Sequence, residues 1–93
     1  MTTRTNQHYD IRISGRVQGV SYRYSTRLTA AGLGLTGFVR NEEDGSVYAE
    51  AEGEKASLDQ FVSWLRRGPP HAVVEKVEIV PGPVKGFPGF NIR

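Results

Sequence analysis

The chain has 93 residues, enough for one domain with one hydrophobic core and too few for two. It contains no cysteine, which excludes disulfides, a thiol nucleophile and cysteine-based metal sites. Twelve basic residues against ten acidic ones leave a net charge of +2, too balanced for a nucleic-acid footprint.

The polar N-terminus, MTTRTNQH, lacks the apolar stretch of a secretory signal, and no apolar run approaches the roughly 20 residues of a membrane span. The expectation is a cytoplasmic protein without a membrane or nucleic-acid partner, monomeric by default. Residues 1–7 read as a disordered tail that also takes in His8, and residues 8–93 as a single domain. From residue 9 to residue 14, Tyr9, Ile11 and Ile13 alternate with Asp10, Arg12 and Ser14, the period of a half-buried strand.

The stretch GRVQGVSYR, residues 15–23, follows. Two glycines bracket a short loop, and a helix is predicted from about residue 21 to residue 31. Tyr24, Leu28 and Ala31 are its apolar stripe, Ser21 its N-cap, and Gly32 and Gly34 its stop. A helix N-terminus carries partial positive charge, so Arg23 in the first turn is locally unfavourable. Such a break with local preference marks a functional or strained place, and here it asks for an anion. Backbone N–H groups converging before a helix form an anion-binding nest, and glycines let that backbone approach the ligand. The guanidinium of Arg23 adds a fork of donors suited to phosphate, with Arg16 as a secondary candidate. Glycine-rich strand-to-helix connections are also common without a ligand. The stretch is not a Walker A loop, because Val20-Ser21 follows Gly19 where that pattern needs Gly-Lys-Ser/Thr.

Residues 36–41, TGFVRN, read as the second strand, and EEDG as a hairpin turn. Asn41, just before that turn, has an amide able to hold a water by accepting and donating at once, although asparagine also suits turns for local reasons. Glu42, Glu43 and Asp44 read as a solvated turn tip rather than metal ligands. The third strand covers residues 47–52, with Val47, Ala49 and Ala51 on one face and Tyr48, Glu50 and Glu52 on the other. Residues 55–67 are the clearest helix, with Leu58, Phe61, Val62 and Leu65 at i, i+3, i+4 and i+7. Arg66 and Arg67 suit its C-terminal end, and Gly68-Pro69-Pro70 stops it. A fourth strand spans residues 73–80 with Val77 and Ile79 inward, followed by a proline-rich loop to Pro88. Phe90 and Ile92 are candidates for a short fifth strand at a sheet edge. His71, like His8, reads as a bystander.

The order βαββαβ predicts an α+β, two-layer ferredoxin-like sandwich: an antiparallel sheet with two helices on one face. In that topology Asn41 and the glycine loop share one end of the sheet. Many domains of this plan bind RNA through aromatics on the open face, and KGFPGF superficially matches such a signature. It lies in the C-terminal loop rather than on a central strand, and reads better as a turn.

GRVQGVSYR followed by GFVRNEEDGSV resembles the acylphosphatase family, small hydrolases of carboxyl-phosphate mixed anhydrides, and the likeness covers nearly the whole chain. The resemblance implies that Gly15, Gln18, Gly19, Val20, Ser21 and Tyr22, through loop amides, bind phosphate together with Arg23. It implies that Asn41 orients the attacking water, with Arg23 and Asn41 as the catalytic pair. It implies a metal-independent reaction without a cofactor, an acyl phosphate as substrate, and inorganic phosphate as product and competitive inhibitor. The family often has Phe where this chain has Tyr22 and Trp where it has Phe38, exchanges expected to concern packing. Ser21 stands at a variable motif position and is expected to act as a cap or an auxiliary contact. The family domain also occurs at one end of larger carbamoyl-transfer proteins; a free-standing enzyme is the expectation here.

Overall fold

The computed structural model describes residues 6–93. Of the tail expected over residues 1–7, residues 1–5 lie outside the described residues, and Gln7 already opens the first strand. The elements run β1 (Gln7–Arg16), α1 (Tyr22–Gly32), β2 (Thr36–Asn41), β3 (Val47–Gly53), α2 (Lys55–Arg67), β4 (Val73–Gly82) and β5 (Phe90–Ile92). They form one sheet in the order β4-β1-β3-β2-β5 with both helices packed against it, the ferredoxin-like sandwich the periodicities predict. Among the described residues, no helix is long and apolar enough to cross a membrane.

The alternating strands deliver their apolar sides to one layer. Ile11 and Ile13 of β1, Val39 of β2, and Val47, Ala49 and Ala51 of β3 are fully buried. The helical stripe of α2 meets them as expected: Leu58, Phe61 and Leu65 are completely buried and Val62 nearly so. The α2 helix ends at Gly68, whose φ of 69° is one that glycine adopts without strain.

In α1 the buried face differs from the expected one. Tyr22, Thr26 and Ala30 point inward, whereas Tyr24 and Leu28 are 56% and 52% exposed. Two positions are about 200° around a helix, so the larger apolar side chains lie on the opposite side from the core. The inward stripe contains a threonine and an alanine, so hydropathy alone selects the wrong phase.

The sheet is mixed rather than antiparallel throughout. β1 pairs antiparallel with β3 and β4, and β2 with β3, but β5 runs parallel to β2 through Gly37↔Phe90 to Val39↔Ile92. The chain leaves β4 at Gly82, opposite His8, and β2 begins at Thr36, opposite Glu52; both are at the same end of the sheet. The loop between Gly82 and Phe90 crosses at that end, so β5 starts where β2 starts and follows its direction. β4 continues through Pro81, which an edge strand tolerates.

That crossing loop covers the face of β3 that carries Glu50 and Glu52. Glu52 is 2% exposed and accepts backbone N–H bonds from Lys85 (2.5 Å) and Gly86 (2.9 Å). His8 is no tail residue: it lies in β1, is 2% exposed, and sits 2.6 Å from both Glu52 Oε2 and Asp10 Oδ1. The Lys85 ammonium donates to Glu50 Oε1 at 2.7 Å. Phe87 of KGFPGF packs edge-on against Phe38, in a loop and not on a strand.

Candidate active site

The strand register decides which chemistry meets. Val47 of β3 pairs with Ile13 of β1 on one side and with Asn41 of β2 on the other. The C-terminal ends of β1 and β2 therefore lie together, and the loop leaving β1 starts two strands away from Asn41.

That loop has the backbone of a nest. Gly19 has φ 75° and Ser21 has φ 62°, two left-handed residues two positions apart. The N–H groups of Gly19, Val20 and Ser21 donate to no acceptor among the described residues. The N–H groups in the first turn of α1 have no intrahelical acceptor by the geometry of any helix. Consecutive free donors at a left-handed turn are a ready anion site. Val17, fully buried, anchors the loop to the core from one side. Tyr22 anchors it from the other: its ring is buried against Trp64, and its hydroxyl donates to the Leu65 carbonyl at 2.6 Å. Burial pushes that phenol well above its usual pKa, so it stays protonated as a donor.

Ser21 occupies the helix N-cap position but does not act as the expected side-chain cap. Its left-handed backbone leaves the hydroxyl without a capping bond, and only its carbonyl joins the helix, accepting from Ser25 N–H at 3.0 Å.

A pocket of about 190 Å³ opens over the loop, lined by Val17, Gln18, Gly19, Ser21, Tyr22, Arg23, Tyr24, Asn41 and Ile92. Of the expected site residues it gathers Gln18, Gly19, Ser21, Tyr22, Arg23 and Asn41. Its lining holds one cation, Arg23, and no carboxylate, so its charge favours an anion.

Two of the expected site residues, Gly15 and Val20, are not among those lining this pocket. Gly15 sits at a register shift in β1 beside Val73 and Val74 of β4, where a Cβ would come within 2.2 Å of the Val73 carbonyl oxygen. Glycine at that position serves the close strand approach rather than the pocket. Val20 lines a neighbouring hollow with Arg16.

Sequence reasoning missed the side chain of Gln18. Its amide donates to the carbonyls of Glu42 (2.8 Å) and Ser46 (2.9 Å), tying the loop to the hairpin that follows Asn41. No periodicity announces such a contact across 24 and 28 residues. Ile92 and Tyr24 were missed as lining for the same reason.

The acidic hairpin tip is a turn. Asp44 accepts from the Ser46 hydroxyl and backbone N–H, bonds that lower its pKa, and Glu42 pairs with Arg40 at 3.1 Å. The histidine–carboxylate group with ligand atoms near enough for one ion, His8, Asp10 and Glu50, lies at the opposite end of the sheet.

Comparison with known proteins identifies the family and the fold. The family model described as Acylphosphatase matches residues 9–92. An acylphosphatase of Acaryochloris marina is 51% identical over 80 residues, covering 86% of each chain. The solved structure of an acylphosphatase from Coxiella burnetii superposes with a TM-score of 0.94 at 37% identity over the whole of both chains. Full-length HypF, solved in its phosphate- and nucleotide-bound form, contains a similar fold: TM-score 0.87 and 27% identity, over 99% of this chain and 12% of that one.

Proposed function

The chain belongs to the acylphosphatase family, hydrolases of acyl phosphates, and from that premise we propose how its own residues carry the reaction. The loop amides from Gln18 to Tyr22 and the guanidinium of Arg23 hold the phosphoryl group. Asn41 holds a water in line with the bond between phosphorus and the acyl oxygen. The observation that carries this reading is the single pocket shared by the nest, Arg23 and Asn41.

The chemistry asks little more of the protein. The leaving group is a carboxylate whose conjugate acid has a pKa near ~4, so it departs without a general acid. Phosphoryl transfer through a loose transition state depends on positioning and on stabilising charge over the equatorial oxygens. Fixed N–H donors and a planar guanidinium supply that stabilisation. The amide oxygen of Asn41 accepts a hydrogen bond from the water and turns the water's lone pair toward phosphorus. As the O–P bond forms, the acyl O–P bond breaks with its electrons leaving on the carboxylate, and the water proton passes to a phosphate oxygen. No step in this scheme requires a metal ion.

The test is hydrolysis of benzoyl phosphate by the purified chain in EDTA. Turnover should persist, and Arg23→Ala should lower it by about 10²–10³, the usual cost of losing a fixed transition-state donor. Arg23→Lys should recover only part, since a point charge lacks the fork. Turnover that EDTA abolishes, or that survives Arg23→Ala, would refute the scheme.

A further inference from the structure

A second hollow, about 510 Å³, adjoins the pocket and is lined by Arg16, Gly19, Val20, Ser21 and His71. It shares Gly19 and Ser21 with the first. The two hollows thus border the same stretch of the nest. A Cβ at Gly19 would meet nothing within 4 Å, so the space beside that residue is open.

The hollow has a marked chemistry. Its lining contains no carboxylate, and the guanidinium of Arg16 has no ion-pair or hydrogen-bond partner among the described residues. Arg12 and Arg40, by contrast, are engaged with Ser46 and Glu42. Arg16 is the last residue of β1 and pairs with Val73, which brings it beside the turn that carries His71.

His71 stands in that turn at a conformational cost. Its φ is 74°, and the turn is closed by Ala72 N–H to the Pro69 carbonyl at 3.1 Å. At this third turn position a positive φ ordinarily selects Gly or Asn. A strained residue beside a site is a pointer to a role for its side chain.

We propose that this hollow is the acyl-side subsite, and that Arg16 and His71 there select acyl phosphates whose acyl part carries a second anionic group. A guanidinium grips a carboxylate or phosphate through two parallel N–H bonds, and the imidazole adds a third donor. The proposal rests on the phosphate-site reading above, since that reading seats the other end of the substrate.

The experiment compares kcat/KM for benzoyl phosphate and for its 3- and 4-carboxy derivatives. Their leaving groups are similar carboxylates, so differences report the subsite. The parent should prefer at least one carboxylated substrate by about tenfold, the scale of one charge-assisted contact. Arg16→Gln should bring that ratio close to one, and Arg16→Lys should retain part of it. His71→Gly, which relieves the backbone, should lower the ratio without lowering Tm. Equal efficiency on all three substrates in the parent would overturn the subsite alone. So would an Arg16→Gln variant that slows all three in equal proportion, because that is the effect of general charge. A folded parent that hydrolyses none of them would overturn the phosphate-site reading and the subsite with it.

Discussion

At the residue scale the proposed scheme divides the work between Arg23 and Asn41, and their variants should fail differently. In the proposed scheme Arg23 holds the phosphoryl group in ground and transition states, so its loss should weaken inhibition by inorganic phosphate as well as turnover. Asn41 acts on the water, so Asn41→Ala should lower kcat for benzoyl phosphate while leaving phosphate inhibition within about twofold. A variant that keeps full kcat would remove Asn41 from the mechanism. A second residue-scale case concerns stability. The Thr26 hydroxyl is buried in α1 without a hydrogen-bond partner among the described residues. Thr26→Val keeps the shape and removes the orphaned group, and should stabilise the chain by about 1 kcal/mol. For a domain of this size that is roughly 4–8 °C in Tm, and a melting curve with no increase would speak against it. The Tyr22 hydroxyl is the opposite case, since its bond to Leu65 gives a use to the atom that Phe lacks.

The candidate site draws on two elements that strand register brings to one end of the sheet and one side chain ties together. The nest belongs to the β1–α1 connection and Asn41 to the β2–β3 hairpin, and Gln18 ties them through two carbonyls. Each carbonyl keeps another partner without it: Glu42 from Gly45 N–H, and Ser46 from Glu42 N–H. Gln18→Ala should therefore cost only about 1 kcal/mol of stability. Its effect on kcat should be larger, about tenfold or more, because a small displacement of nest against water destroys in-line geometry. Denaturation together with benzoyl phosphate kinetics measures both; an unchanged kcat would make the bridge merely structural. The elements themselves differ in how legible they are. α2 was readable because its inward stripe is large and apolar, at Leu58, Phe61, Val62 and Leu65. α1 was readable as a helix but not in phase, because its inward stripe is built on Tyr22, Thr26 and Ala30.

Across the whole molecule, a charged cluster stands at the end of the sheet opposite the candidate site. His8 lies among Asp10, Glu50 and Glu52, with Lys85 and the backbone of residues 85–87 closing over them. Burial by itself would depress the imidazole's pKa, but hydrogen bonds to Asp10 and Glu52 outweigh it and the net shift is upward. Burial would raise the pKa of Glu52, but the N–H bonds of Lys85, Gly86 and Phe87 and the contact with His8 bring it below its ordinary value. The two shifts bound a window. The contribution of His8 is complete below its unfolded pKa, about 6.5, and is lost as pH rises through the raised folded value. The contribution of Glu52 is present above its ordinary 4.5 and is lost as pH falls through the lowered one. Tm should thus be highest between these limits and decline on the alkaline side. His8→Gln should flatten that decline as pH rises above the ordinary imidazole value of about 6.5. The same alkaline slope in the variant would assign it to other groups.

What the sequence determined by itself is everything that local pattern encodes. Period two at residues 9–14 and 47–52, the 3.6 period of α2, Asp-Gly in the hairpin and the glycine loop specify the order of elements and hence the sandwich. Arg23 and Asn41 could be proposed from the sequence because loop chemistry and family resemblance are both written in consecutive residues. The tertiary structure alone decided the rest. Gly15 belongs to a strand contact because β4 approaches it, and Gln18 bridges because the hairpin lies across from it. His8 and Glu52 are buried because a loop more than 30 residues further on crosses their face. Hydropathy pattern reports which residues leave water, but pairing between distant segments depends on register and direction, which no single segment contains.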